Sequence, residues 1–203
     1  MGEGEGERGR QRLLQRRSMA TPDRLEIATS GRARCRACGV KIERGVLRFG
    51  EVLPGPYGEG EGEGTGVFWF HPRCAAHRRP EKFLVVIREA EAAATLADRD
   101  GLLAAAEEGI LHERLPRVAG AERSASGRAR CRHCKEGIPM GAWRIRLSSF
   151  ADTGFFDPLG FLHVGCATAY FGTGALHDRL RQASPDLDAE ALAELSSLEF
   201  LVS

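Results

Sequence analysis

The residues able to do chemistry stand in two sets with one pattern. Cys35 and Cys38 are followed, after a spacer of 32 residues, by His71 and Cys74; Cys131 and Cys134 are followed, after a spacer of 28 residues, by His163 and Cys166. This pattern uses all six cysteines of the chain. A C-x2-C turn brings two thiolates to about 3.5–4 Å, the separation that tetrahedral zinc requires with Zn–S bonds of ~2.3 Å. An H-x2-C pair at the far end of a hairpin closes the tetrahedron. Three thiolates and one imidazole leave no position for water, so each ion is expected to hold the fold rather than hydrolyse a substrate. Competing uses fit less well. A redox C-x-x-C pair leaves Cys74 and Cys166 without purpose. A disulfide framework needs an oxidising compartment, to which no signal peptide directs the chain. Four-cysteine iron–sulfur ligation is not met by three cysteines per set. His133 lies inside the second C-x2-C, but its counterpart is Ala37, so it reads as an exposed side chain or a phosphate contact.

The segments around these sets repeat. Ser30-Gly31-Arg32-Ala33-Arg34-Cys35-Arg36 recurs without change as Ser126-Gly127-Arg128-Ala129-Arg130-Cys131-Arg132, at an offset of 96. Ile42 to Arg48 is answered by Ile138 to Arg144, and Trp69-Phe70-His71 by Phe161-Leu162-His163 at an offset of 92. Two homologous modules are therefore expected, residues 20–116 and 122–203, joined by a linker at 117–121. Residues 1–19, a Gly/Glu tract followed by an Arg-rich run, have nothing to bury and read as a disordered tail. Gly58 to Gly64 alternates Gly and Glu and reads as a flexible loop tip in the first module.

The elements that must position the cysteines and histidines follow from periodicity. Arg24 to Ala28 alternates like a short strand. Val46 to Val52, Val67 to Phe70, Trp143 to Leu147 and Gly160 to His163 read as further strands. Pro80 to Leu96 has Phe83, Leu84, Ile87, Ala90 and Ala94 on one helical face, and a second helix runs from Asp100 to Arg114. Ala175 to Ala183 is a helix, and Ser184-Pro185 opens a last one ending near Leu198. The fold class is α+β: two small zinc-stapled modules in tandem, each a short antiparallel sheet packed with C-terminal helices. Modules of ~90 residues bury modest cores, and zinc supplies part of their folding free energy.

Lys plus Arg is 29 and Asp plus Glu 28, a near-neutral total that hides segregation. Ala28 to Phe49 holds six basic residues and one acidic; Ser124 to Leu147 repeats that tally. Glu81 to Glu113 holds eight acidic and three basic residues, and Asp186 to Glu199 five acidic and none basic. Basic segments around each knuckle suit a phosphate backbone, and the acidic helices mark faces that turn away from it. The longest apolar runs, such as Phe83 to Ile87, are too short to span a bilayer. Neither an open metal position, nor a Ser/His/Asp grouping, nor a P-loop is legible, so no enzyme is expected.

These residues carry a resemblance. Asp23 to Cys35, the Ile-x-x-Gly-x-Leu-Arg run after the first knuckle, and Trp-Phe-His-x-x-Cys closing it resemble the poly(ADP-ribose) polymerase-type zinc finger, present twice and without a catalytic domain. That family recognises DNA strand breaks. The resemblance implies phosphate contacts by Arg32 and Arg128, of the Ser-Gly-Arg motif, and by Arg48 and Arg144, after the Gly-x-Leu/Trp strand. Arg34, Arg130 and Arg146 are added by proximity. It also implies that apolar residues of the loop before the histidine stack on a terminal base pair, a face that an intact duplex hides. In the second module these are Phe155, Phe156 and Leu159; in the first, Leu53 and Tyr57, among glutamates that oppose DNA. Trp69 and Phe161 are assigned to the core.

The resulting expectation is a monomeric, non-enzymatic, intracellular protein with two structural Zn2+ ions. It would sit in the nucleoid if bacterial and the nucleus if eukaryotic. It would bind nicks, gaps or ends in DNA repair, with repair enzymes as partners and no membrane or small-molecule substrate. The alternative is a protein-interaction module with structural zinc and acidic helical faces.

Overall fold

Each cysteine–histidine set is mounted on a three-stranded antiparallel meander. The computed structural model describes residues 23–54 and 65–199. The N-terminal Gly/Glu/Arg tract, Tyr57 and the Gly58 to Gly64 run lie outside the described residues. The first sheet has the order β1 (Arg24–Ile27), β2 (Leu47–Pro54), β3 (Thr65–Phe70). The second repeats it as β4 (Val118–Arg123), β5 (Trp143–Phe150), β6 (Phe156–His163). The strand register keeps the repeat: Glu26 faces Arg48 and Glu122 faces Arg144 across β1–β2 and β4–β5.

Residues 118–123 correct one expectation. The stretch read as a linker is the edge strand of the second sheet, entered through a 3-10 turn at Leu115–Arg117. Val118 and Ala121 are buried there, which gives the segment an apolar face to pair rather than a linker's solvation.

Helices follow each sheet. The first module carries α1 (Pro72–Arg78), α2 (Pro80–Glu89), a 3-10 turn at Glu91–Thr95, and α3 (Arg99–Leu111). The helix expected over Pro80 to Leu96 stops at Ala90, whose backbone is extended. α2 buries Phe83, Leu84, Val86 and Ile87. The second module carries α4 (Ala167–Phe171), α5 (His177–Ala183) and α6 (Ala189–Glu199). No helix of the described residues is long and apolar enough to cross a membrane.

There are two cores. Ile42, Phe49, Phe70, Phe83 and Ile87 centre the first; Ile138, Ile145, Leu147, Leu162, Leu176 and Leu195 centre the second. Phe150 and Phe156 come from the second sheet yet pack against the first core. Phe150 meets Phe70 edge-on at 5.8 Å and Phe68 at 6.4 Å, a favoured aromatic geometry. Arg179 of α5 donates to the carbonyls of His77 (2.9 Å) and Ala105 (2.6 Å). Arg73 of α1 ion-pairs with Asp178 at 2.6 Å and with Asp98. The modules are thus packed face to face, rather than merely strung in tandem.

Two candidate metal centres and the arginines around them

Each knuckle is a tight hairpin closed by backbone bonds that recur in both copies. Cys35 N–H donates to the Val40 carbonyl and Gly39 N–H to the Cys35 carbonyl, at 2.8 and 2.9 Å. Cys131 and Lys135 make the same bonds, at 2.8 and 3.0 Å. The closing position needs a left-handed backbone, with φ of 74° at Gly39 and 69° at Lys135. Glycine takes this at no steric cost, whereas lysine is strained there. The histidine and last cysteine arrive from the end of the third strand and the helical turn that follows.

The ligand atoms of Cys35, Cys38, His71 and Cys74 lie within 4.8 Å of one another, as do those of Cys131, Cys134, His163 and Cys166. His71 Nδ1 stands 3.5 Å from Cys38 Sγ and 3.9 Å from Cys74 Sγ; His163 Nδ1 stands 3.4 Å from Cys134 Sγ and 4.0 Å from Cys166 Sγ. Zn–S bonds of ~2.3 Å and a Zn–N bond of ~2.0 Å at the tetrahedral angle separate ligand atoms by about 3.5–3.8 Å. The donor sets fit zinc in type and spacing, and each quartet could hold one ion. Backbone N–H groups of His71 and His163 donate to Cys35 and Cys131 Sγ at 3.4 and 3.5 Å. Gly137 O lies 3.1 Å from His163 Nε2, so the ring can donate there and turn an unprotonated Nδ1 to the metal.

Protonation expresses the crowding. Hydrogen bonds with Cys35 and Cys38 raise the imidazole of His71 to about 10. The same two thiols hold Cys74 far above the ordinary thiol range. In the second quartet, burial works against ionisation of Cys131, yet backbone N–H donors of His163, Cys134 and His133 bring it to about 7. Burial and the Cys134 thiol push Cys166 up to about 12. A metal entering either quartet must displace protons.

The repeated arginines divide into three kinds. Arg34 and Arg130 are exposed but donate to the carbonyls of Gly39 (3.1 Å) and Lys135 (3.3 Å), bracing the knuckle turns. Arg48 and Arg144 are engaged inside their sheets. Arg48 is buried, donates to Glu26 at 2.6 Å and lies 3.5 Å above the Trp69 ring. Arg144 pairs with Glu122 and lies 3.6 Å above Phe161. Trp69 and Phe161, assigned to the core, are half-buried platforms for these guanidiniums. The wide ring of Trp69 lies across Gly50, where a Cβ would fall 2.6 Å from it. Arg32 and Arg128 are of the third kind: exposed, at equivalent positions, and without a partner among the described residues. Arg146 is half-exposed, its Nε 3.5 Å from Glu122.

The expected stacking residues separate. Phe155 is 54% exposed, its ring 4.1 Å from the Arg36 guanidinium. Phe156 is turned inward against Phe150 and Arg78 and joins the modules, so the loop offers one phenylalanine to solvent instead of two. Leu159 is half-buried against the second core and Leu53 half-buried in β2. His133 is exposed and belongs to neither quartet.

The arginines joining the modules, Arg36, Arg78 and Arg179, escaped the sequence reading as functional residues. The His77-Arg78-Arg79 run was the available signal, since a basic triplet interrupts a helix whose neighbours are buried.

No family model matches the chain. It is 28% identical over 144 residues to a poly(ADP-ribose) polymerase of Sarcophaga peregrina, a match covering 64% of this chain and 14% of that protein. The similarity and the two Cys3His quartets together fit zinc fingers of the poly(ADP-ribose) polymerase type.

Proposed function

We propose that the chain is a non-catalytic DNA-binding unit that recognises strand breaks, in the service of DNA repair. One observation carries the reading: Arg32 and Arg128, the same position in both repeats, stand beside their knuckles, and no carboxylate or carbonyl among the described residues engages them. A guanidinium left free twice at one place suits an external anion, and a phosphate backbone supplies anions at a regular spacing. Arg48 and Arg144 enter this reading as the internal supports of the same sheets. Phe155, exposed in the loop before the second sheet's last strand, is the residue offered to an open base-pair face.

The test is a titration at fixed salt against nicked, gapped, blunt and intact duplexes of equal length. Break-containing DNA is expected to bind about ten-fold tighter than intact duplex, from one stacked base. Arg32→Gln/Arg128→Gln should weaken binding to every DNA and lower the salt slope by about two, one for each phosphate contact. Equal affinity for all four duplexes would sink the break reading. Full binding by the double variant would favour a protein partner for the acidic helical faces.

A further inference from the structure

The seam between the modules opens into a cleft of about 330 Å³, lined by Arg36, Arg78, Arg146, Ser148, Phe156 and Phe161 among others. No acidic side chain among the described residues lines it. Three guanidiniums converge there, one from the first knuckle, one from α1 and one from β5. Nη2 of Arg36 and Nε of Arg78 are buried without a hydrogen-bond partner among the described residues, and the buried Nε of Arg146 meets Glu122 Oε2 at the long distance of 3.5 Å. Arg78 is 7% exposed and has no carboxylate partner. Its bonds go to the Val118 carbonyl and to Ser148 Oγ, the latter at 2.6 Å. Ser148 accepts from Arg78 and keeps its own proton to donate. Glu122 meets Arg146 through Oε2 at 3.5 Å and Arg144 through Oε1, so its one charge is shared between two guanidiniums. A buried, unpaired positive charge is costly. Arg78 is such a charge, and Arg36 and Arg146 bring two further guanidiniums to the same opening, so the cleft suits an anion.

Shape narrows the choice. Arg78 sits deep, where a phosphodiester within a continuous strand, flanked by sugar on both sides, meets the walls first. A phosphate at a chain end can enter, and it carries about −1.5 to −2 charge at pH 7 against −1 for a diester. Phe156 and Phe161 leave an apolar margin for the attached sugar or base. We propose that this cleft receives a terminal phosphate monoester, the 5′ or 3′ phosphate of a broken DNA strand, held by Arg36, Arg78 and Arg146. The inference rests on the strand-break reading and adds to it what the chemistry of the end must be.

The experiment compares three nicked duplexes at one salt concentration, one with a 5′ phosphate, one with a 3′ phosphate and one with hydroxyls on both sides, alongside intact duplex. One phosphorylated nick should bind about ten-fold tighter than the hydroxyl nick, the worth of charge-assisted bonds to a buried donor set. The terminus that gives the gain identifies the source of the phosphate. Arg146→Gln, at a side chain 43% exposed, should abolish that gain while keeping the preference for nicked over intact DNA. Arg78→Gln should do the same, with zinc content of two per chain and a native circular dichroism spectrum as the check on folding. Equal affinity for phosphorylated and hydroxyl nicks, with the nick still preferred over intact duplex, overturns the cleft assignment and leaves the break reading standing. Retention of the gain by both folded variants also overturns it. Loss of the preference for nicked over intact DNA overturns the break reading itself.

Discussion

The side-chain amide of Gln182, on the second module, donates to the Sγ of Cys74, in the quartet of the first, at 3.2 Å. An amide hydrogen bond to a metal-bound thiolate disperses its charge, and such supporting contacts commonly govern metal affinity by ten- to hundred-fold. The contact couples one module's metal centre to the other module's helix α5. Gln182→Ala is expected to weaken zinc binding at the Cys35/Cys38/His71/Cys74 quartet by about ten-fold, leaving the Cys131/Cys134/His163/Cys166 quartet unchanged. Chelator competition would resolve this as one shifted and one unshifted release phase. Two unshifted phases would show that the contact carries no weight.

The repeat made the metal quartets and the paired meanders legible, because the same spacing had to serve twice. It could not reveal the seam, which joins two different faces of homologous modules. Gln182, Asp178 and Arg78 each act there singly; the position equivalent to Arg78 in the second copy is Tyr170. Repetition also overstated the arginines. Identity between copies suggested a common external ligand, yet Arg34 and Arg130 each brace a knuckle turn, and Arg48 and Arg144 each brace a sheet. Only the folded arrangement separates a guanidinium aimed at a carbonyl from one that is free.

Arg48 and Arg32 should therefore fail in different ways. Burial alone would raise the carboxyl of Glu26, yet hydrogen bonds from Arg24 and Arg48 hold it below its ordinary range. Removing Arg48 leaves that carboxylate with Arg24 alone and uncovers the Trp69 face. Arg48→Gln is expected to cost about 2 kcal/mol, less than a fully buried pair because Glu26 is partly exposed. Arg32→Gln should leave stability within about 0.5 kcal/mol of the parent. Denaturant unfolding with zinc in excess measures both, and equal losses for the two variants would contradict the division.

Acid should loosen the seam through His77. Its ring is buried, Nε2 lies 3.4 Å from Asp178, and Nδ1 has no partner. Burial lowers its pKa; Asp178 raises it, while Arg179 and Arg73 add to the lowering, so the folded value lies below the ordinary 6.5. As pH falls below about 6.5 the unfolded chain takes the proton first, and stability declines by at most about 1.4 kcal/mol per pH unit. Asp178 shifts the other way: hydrogen bonding to His77, then to Arg73, holds it well below the carboxylate range, so its contribution persists through this window. His77→Gln should flatten the stability profile between about pH 6.5 and 5.5. Zinc content is followed in parallel, because the quartets also lose ligands to protons. An unchanged slope at constant zinc content would remove His77 from the account.

Losing one metal should not be equivalent to losing the other. Helix α1 begins beside His71, carries Cys74 as a ligand, and within one turn presents His77 and Arg78 to the second module. Releasing zinc from this quartet frees the helix that also holds the seam. In the second module, α4 follows Cys166 directly and exposes Thr168 and Ala169, so its release has less to undo across the interface. Cys74→Ser is expected to remove one zinc and to raise amide exchange in β4, whose Val118 carbonyl accepts from Arg78. Cys166→Ser should also remove one zinc, with its exchange increase centred on the second knuckle and the end of β6. The asymmetry follows from where Arg78 sits relative to Cys74, one helical turn apart on the same rigid element. Hydrogen exchange with mass detection at matched zinc content distinguishes the two patterns. If the seam stayed equally protected in both variants, metal and interface would be energetically independent.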